Sequence, residues 1–200
     1  MDFELVTIHQ LDPQQHKLLS SLHYSVMETL LSDLGLPIVA RFYQLAADDE
    51  KVIGFCALQE NNVIGWVVGS PHPQVLNEKL RKPFYWFVIQ MLRVLFTRPT
   101  LLVQLYISAL SAREEEIALG SNEIELTYIG VAPEARGQKT GFVLLQKFVD
   151  ACRKNGYHKI RLSVETDNVS AISLYQKDGF QITETVLEGS YERHRMKLDL

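Results

Sequence analysis

The stretch Tyr128–Gly141 constrains the fold more than any other part of the chain. Its first residues read as the end of a strand, and the apolar-periodic run Phe142–Cys152 that follows reads as a helix. A glycine-bearing turn between strand and helix leaves backbone N–H groups unpaired at the start of the helix. The helix dipole favours negative charge at the same place. The stretch is therefore predicted to hold a phosphate group.

Length and composition predict one globular domain over residues 1–200. The chain is 46% hydrophobic and 22% charged, which is ordinary for a globular protein with a single core. Its net charge of −4 provides no overall positive field for nucleic acid. We therefore expect no nucleic-acid partner.

The cysteines and histidines suggest neither a disulfide framework nor a metal centre. Cys56 and Cys152 lie far apart in apolar runs, which is typical of reduced thiols in a cytoplasmic protein. The six histidines show no ligand spacing, so no metal is expected. Met1–Glu4 carries acids where a signal peptide needs a basic segment. A cytoplasmic location is the prediction.

Hydropathy in the first third predicts a strand, helices and a hairpin. Residues 3–8 alternate as a strand does, and residues 14–47 repeat apolar side chains at helical spacing, with a break that predicts two short helices. Val52–Leu58 and Val63–Val68 are short apolar runs joined by a polar connector. They predict a β-hairpin.

The last third alternates strands and helices. Residues 123–131 predict a strand in which Glu123, Glu125 and Thr127 face away from Ile124, Leu126 and Tyr128. A helix to about residue 155, a strand over Lys159–Glu165, a helix over Asn168–Lys177 and two final strands follow. This order predicts a mixed α/β fold.

An apolar insert interrupts the pattern between the third and fourth strands, at about residues 74–120. Within it, Pro83–Leu110 is apolar on nearly all helical faces, which favours packing in the core or against a substrate pocket. Arg93, Arg98 and Pro99 leave no apolar run near the roughly 20 residues that a bilayer requires. Stable membrane insertion is not expected, and a helix lying on a membrane is the alternative. The insert could also form the interface of a homodimer.

Three linked features resemble the GCN5-related N-acetyltransferase (GNAT) family. The turn Arg136–Gly141 follows Val131-Ala132-Pro133 and is similar to the family's acetyl-CoA diphosphate loop. Residues 168–180 are similar to its Asn-x-x-Ala-x-x-x-Tyr-x-x-x-Gly-Phe helix, and one helix and one strand separate the two motifs, as in the family. The resemblance covers roughly residues 123–200.

This resemblance implies a mainly antiparallel, twisted sheet of about seven strands flanked by helices. It also implies acetyl-CoA as co-substrate. The residues that it places near acetyl-CoA are Ile129, Val131, Arg136, Gly137, Gln138, Lys139, Thr140, Gly141 and Asn168. Lys139 departs from the pattern, because the family usually has its middle glycine there; its ammonium could approach a phosphate, but close backbone approach is lost. Asn168 is also expected to cap its helix.

The resemblance also implies catalytic roles. Tyr175 lies where the family places the general acid, and a phenol with a pKa of about 10 can protonate a thiolate leaving group. A carboxylate of the first motif strand would accept the proton of the attacking amine. We prefer Glu123 slightly over Glu125, with a water chain as the alternative.

The predicted function is acetyl transfer to a primary amine of a small molecule by direct attack, with an amino sugar as one candidate. Two alternatives stay open: a non-catalytic acyl-CoA-binding module, and acetylation of protein N-termini or lysines. The acceptor should contact residues 14–47, the insert and the final hairpin. His23 is either structural or an acceptor contact.

Overall fold

The computed structural model describes residues 3–97, 119–188 and 191–200, with only the backbone described at residues 95–97 and 188. The strands are β1 (Glu4–Thr7), β2 (Ile53–Gln59), β3 (Asn62–Ser70), β4 (Glu123–Val131), β5 (Lys159–Glu165), β6 (Gln181–Glu188) and β7 (Tyr191–Asp199). The helices are α1 (Pro13–Val26), α2 (Leu30–Asp33), α3 (Leu36–Ala47), α4 (Pro73–Leu80), α5 (Phe84–Thr97), α6 (Thr140–Lys154) and α7 (Val169–Lys177). Short 3₁₀ turns cover Ile8–Gln10 and Pro133–Ala135.

All seven strands form one sheet in the order β1-β2-β3-β4-β5-β7-β6. Only β4 and β5 run parallel, and every other neighbouring pair is antiparallel. The parallel pair needs a crossover, which α6 provides. The predicted mixed fold with a mostly antiparallel sheet is confirmed.

Two apolar layers cover the sheet. On one face, α6 buries Leu144, Leu145 and Phe148 against the middle strands, in a cluster that also contains Tyr175 of α7. On the other face, α1 and α3 pack with residues such as Tyr43 over β2 and β3. Helices on both faces bury the central strands, as their apolar sequences require.

The helical region after β1 contains three helices where two were predicted. Asp12 caps α1 by accepting a hydrogen bond from the Gln15 N–H at 2.8 Å. Thr29 caps the four-residue α2, and Gly35 ends it with φ +100°. The sequence predicts the break within residues 14–47, but the four residues of α2 are too few to show a helical period.

A β-bulge changes which side chains of β4 share a face. Val68 pairs with Tyr128 and Gly69 with Leu126, so Thr127 has no partner on β3. Ile124 and Leu126 join the α6-side core, whereas Tyr128 packs on the α1–α3 side. The predicted alternation of Ile124, Leu126 and Tyr128 on one face is therefore wrong beyond Leu126, because the extra residue inverts the order.

The insert begins with two helices, α4 and α5, and its residues 98–118 lie outside the described part of the chain. The inner side of α5 packs on the fold through Trp86 and Phe87. Its outer side is exposed, with Tyr85 at 71%. The predicted packing in the core thus does not hold for the outer side of α5, and packing against a substrate pocket stays a prediction. Within the described ranges, no helix combines the length and hydrophobicity needed to cross a membrane.

Candidate active site

The sheet opens between β4 and β5, and this opening organises the site. Only Glu123–Glu125 pair with β5, opposite Lys159–Arg161. Beyond Glu125, β4 continues to Val131 beside β3, while β5 continues beside β7. Among the described residues, no strand therefore pairs with the β5-side edge of β4 after Glu125. An extended ligand can hydrogen-bond to such an edge as an added strand would.

The predicted phosphate loop lies at the end of this open edge. Gly137 and Lys139 both have left-handed backbone conformations, with φ +75° and +64°. A side chain at Gly137 would meet no atom within 4 Å, so open space lies beside this part of the loop. Lys139 adopts the left-handed backbone conformation that glycine adopts without strain, and for a lysine this conformation costs about 1 kcal/mol.

Polar side chains of the loop bind its own backbone. Arg136 Nε donates to the Val131 carbonyl at 3.4 Å, and Gln138 Nε2 donates to the Glu134 carbonyl at 2.9 Å. The buried Thr140 hydroxyl donates to the Ala135 carbonyl at 3.3 Å. These bonds fix the loop, so that backbone N–H groups form the surface offered to an anion.

The N-terminus of α6 has no side-chain cap among the described residues. The next helix differs, because Asn168 Oδ1 accepts from the Ala171 N–H at 3.2 Å and caps α7 as predicted. The first N–H groups of α6 are therefore available to a ligand.

Gly141 brings the loop, β4 and α7 together. A Cβ at this position would lie 3.5 Å from Val131 Cγ2 and 3.7 Å from Leu174 Cδ2. Leu174 directly precedes Tyr175, so the start of α6 and the predicted acid belong to one contact region. Gln146 of α6 also donates a hydrogen bond to Asp178 at the end of α7.

Tyr175 is only 5% exposed and packs on Phe180, with 5.6 Å between ring centroids. Burial raises the pKa of its hydroxyl above the ordinary value of 10. No other described residue hydrogen-bonds to this hydroxyl. Tyr175 therefore keeps its proton at neutral pH and has it free to donate.

Glu123 is held by two cations. Its carboxylate lies 2.8 Å from Lys159 Nζ and 2.8 Å from Arg161 Nε. Burial by itself would raise the pKa of Glu123, but hydrogen bonds from Lys159, the Gly120 N–H and Arg161 outweigh it and lower the pKa to about 2. A carboxylate with such a low pKa is a weak base. The ion pairs of Glu123 therefore favour Glu125 as the candidate base, and the choice between the two stays a prediction.

Glu125 has a different setting. It pairs with both neighbouring strands, opposite Ser70 and Arg161, and is the last residue of β4 before the opening. Burial, and next the charge of Glu125, raise the pKa of Tyr128 to about 12, with Arg193 opposing the shift. Because its neighbours Ile124 and Leu126 join the core that holds Tyr175, Glu125 lies on the opposite face of the sheet.

An aromatic cluster beside the opening was not predicted from the sequence. The ring of Tyr128 lies 4.8 Å from that of His23, whose Nδ1 is 2.7 Å from the Tyr43 hydroxyl. His23 is fully buried, and burial lowers its pKa to about 4, so it is neutral at pH 7; its burial favours the structural role over an acceptor contact. Gly130 belongs here because a Cβ would lie 2.4 Å from Trp66 Cη2. These contacts join distant segments, and no local pattern signals them.

Cavities outside the opening lie on the α1–α3 side. One of about 160 Å³ lies between Asp33, Gly35 and Arg93 and borders α5. Another, of about 740 Å³, lies between α1 and α3. Neither is lined by a predicted acetyl-CoA residue. In the described ranges, no group of three or more His, Cys, Asp or Glu side chains could hold a metal ion.

Comparison with known proteins agrees with this architecture. The model of the acetyltransferase (GNAT) family matches residues 19–180. The chain therefore belongs to the GNAT family.

Individual relatives cover less of the sequence. A mycothiol acetyltransferase of Renibacterium salmoninarum is 41% identical over 56 residues, which are 28% of this chain and 17% of that protein. A Bacillus subtilis protein with the provisional name ribosomal protein bS18-alanine N-acetyltransferase is 33% identical over 60 residues, which are 30% of this chain and 40% of that protein. The chain thus spans less than half the length of these two relatives.

Solved structures match the whole fold. The PaiA N-acetyltransferase of Thermoplasma acidophilum in complex with coenzyme A has a TM-score of 0.61 at 14% identity, and the match covers 100% of both chains. At this identity the likeness concerns the fold alone.

Proposed function

We propose that this protein is an acetyl-CoA-dependent N-acetyltransferase that acts on a primary amine by direct attack. The observation that carries the proposal is the open edge of β4, next to the uncapped N-terminus of α6 and to the contact region that includes Tyr175. Residues 1–200 would act as one domain. The buried, unpaired Cys56 and Cys152 suit the reducing cytoplasm.

The residues around the opening fit acetyl-CoA. The diphosphate would lie on the N–H groups of Gly137–Gly141, where the space beside Gly137 is open. The pantetheine arm would pair with β4 near Ile129 and Val131. Bound there, acetyl-CoA supplies an activated thioester. Arg136 and Lys139 would add positive charge, and Asn168 would combine its capping role with a place near the arm.

Tyr175 holds the proton that the reaction must deliver. Its raised pKa keeps the hydroxyl protonated, and its place beside Leu174 puts it near the start of α6. Expulsion of a thiolate needs an acid at this point. Tyr175 is therefore the proposed general acid.

Glu125 is the proposed base. An amine with a pKa of about 10.4 must lose a proton before it can attack. Glu125 lies at the opening, on the face opposite Tyr175, and Glu123 is occupied by Lys159 and Arg161. Acid and base would thus act from opposite sides of the sheet, with the amine entering from the Glu125 side.

The acceptor is proposed to be a small-molecule amine. The mycothiol acetyltransferase name of one relative favours a small molecule, and an amino sugar remains one candidate. The name of the Bacillus relative favours a second candidate, the N-terminal amine of a protein. The cavity between Asp33 and Arg93 lies in the region predicted to contact the acceptor.

The proposal is tested by calorimetry with coenzyme A, followed by thiol release from acetyl-CoA. The acceptor panel contains amino sugars, polyamines, amino acids and N-terminal peptides. We expect coenzyme A to bind and one amine class to release thiol. Binding without release under any acceptor would favour the non-catalytic module, and absence of binding would contradict both.

A further inference from the structure

The outer side of α5 carries an exposed apolar stripe. Tyr85, Ile89 and Leu92 follow one another at i, i+4 and i+7, so they lie on one helical face. They are 71%, 46% and 48% exposed, and the neighbouring Phe84 is 75% exposed. We call Phe84, Tyr85, Ile89 and Leu92 the α5 stripe. Surface helices normally expose polar residues and bury apolar ones, whereas α5 exposes the apolar residues of this stripe.

The inner side of α5 carries a buried polar residue. Gln90, the polar amide of this helix, is only 6% exposed and accepts a hydrogen bond from Arg93 at 3.2 Å. Trp86 and Phe87 already supply the apolar contacts of α5 with the fold. The α5 stripe therefore adds nothing to that core and presents a contiguous apolar surface.

Basic residues lie near the stripe in the sequence, although Lys79 forms an ion pair with Asp49 at 3.0 Å. From Lys79 to Thr97, directly after Glu78, the sequence contains Lys79, Arg81, Lys82 and Arg93 but no Asp or Glu, although the whole chain has a net charge of −4. Arg81 and Lys82 are exposed and immediately precede α5. Arg41 fixes the segment before α5. It donates a hydrogen bond to the Lys82 carbonyl at 3.2 Å and lies over the Trp86 ring at 5.8 Å.

We propose that the α5 stripe, with Arg81 and Lys82, docks on an anionic lipid surface. Exposed aromatic and aliphatic side chains beside basic residues are the composition of helices that lie in the membrane interface. The 14 described residues of α5 are fewer than the roughly 20 that span a bilayer, so the proposed contact is with the lipid surface. A second copy of the chain is a less favourable partner for the stripe, because a two-fold interface would place Arg81 and Lys82 of one copy against the same residues of the other.

Vesicle sedimentation of the 200-residue chain, without acetyl-CoA or acceptor, tests the proposal. The result of this assay does not depend on the proposed acetyltransferase activity, so either proposal can fail without the other. We expect co-sedimentation with phosphatidylcholine vesicles that contain one third phosphatidylglycerol, and little with pure phosphatidylcholine. Added salt should weaken binding, because it screens the attraction between the basic residues and the lipid.

Two variants separate the apolar and charged contributions. Tyr85→Ser/Ile89→Ser/Leu92→Ser should lower the bound fraction at least tenfold while far-ultraviolet circular dichroism stays unchanged. Arg81→Gln/Lys82→Gln should lower the partition coefficient about 25-fold, since each basic residue contributes about fivefold. The matched controls, which should bind like the unchanged protein, are Leu187→Ser at an exposed leucine of β6 and Lys51→Gln/Lys154→Gln at exposed lysines.

Absence of binding to anionic vesicles at low salt would overturn the proposal. Unchanged binding of the stripe variant would also overturn it. Light scattering that shows a dimer of the unchanged protein, together with a monomeric stripe variant and no vesicle binding, would assign the stripe to a second copy.

Discussion

The strand β4 changes partner along its length. Glu123–Glu125 pair with β5, whereas Glu125–Val131 pair with β3 and leave the edge toward β5 open. The first segment carries carboxylates and a dense ion-pair cluster. Beyond Glu125, the second carries no charged side chain, yet it borders the phosphate loop and the contact region of Tyr175. The difference shows that the charged residue Glu123 stabilises the paired end of this strand, whereas the proposed site begins at Glu125, where the backbone pairing with β5 ends.

The largest expected effect comes from Tyr175→Phe, at the open segment. Loss of the proton donor should lower kcat by about 10² to 10⁴-fold. Affinity for coenzyme A, measured by calorimetry, should stay the same because the ring is retained. Tyr157→Phe, outside the site, is the matched control. Equal turnover of the Tyr175 variant and the unchanged protein would remove Tyr175 from the acid role.

Next in size is the contrast between Glu125→Gln and Glu123→Gln. Glu125→Gln should lower acceptor turnover about 100-fold, as expected for loss of a general base. Glu123→Gln should change turnover little but cost about 1–2 kcal/mol in the free energy of unfolding, because Lys159 and Arg161 lose their carboxylate. Thiol release and urea denaturation measure the two effects. The reverse pattern would restore Glu123 as the base.

Acid should destabilise the two segments in separate pH ranges. The pKa of His23, beside Tyr128, falls from 6.5 to about 4 on folding, so the unfolded chain binds a proton more readily and stability drops between pH 6.5 and 4. The pKa of Glu123 falls from 4.5 to about 2, so its contribution is lost between pH 4.5 and 2.

The loss from His23 should reach about 3 kcal/mol. Urea denaturation across pH measures it. His23→Gln should flatten the stability curve above pH 4.5, and Glu123→Gln should flatten it below. A curve for His23→Gln that stays as steep as that of the unchanged protein would contradict the assignment.

The smallest expected effect concerns Lys139, at the end of the open segment. Its left-handed conformation costs about 1 kcal/mol, and strain of this kind tends to persist where function needs the residue. Lys139→Gly should therefore weaken coenzyme A binding about twofold to fivefold, the upper part of the range of one exposed charge contact. Lys139→Asn, which tolerates the conformation without the charge, should behave alike in calorimetry. Unchanged or tighter binding of both variants would mean that the lysine is merely tolerated.

Much of the fold and part of the site could be predicted because their signals are local. Helical spacing over residues 142–152 gave α6, and the motif of residues 168–180 identified the helix that carries Tyr175 and its Asn168 cap. The exposed side of α5 was missed because an apolar helix has the same sequence pattern whether it lies in a core or on a surface. Which side faces the fold depends on Trp86 and Phe87 meeting α3 and its neighbours.

The sequence by itself determined the strand, turn and helix around residues 128–154, since hydrophobic period and glycine placement act between near neighbours. Tertiary structure alone decided the state of Glu123, whose partners lie 36 and 38 positions away. It also decided the bulge at Thr127 and the opening beside β4, because both follow from how β3, β4 and β5 pair. Register between strands is a property of the assembled sheet, and no single strand contains it.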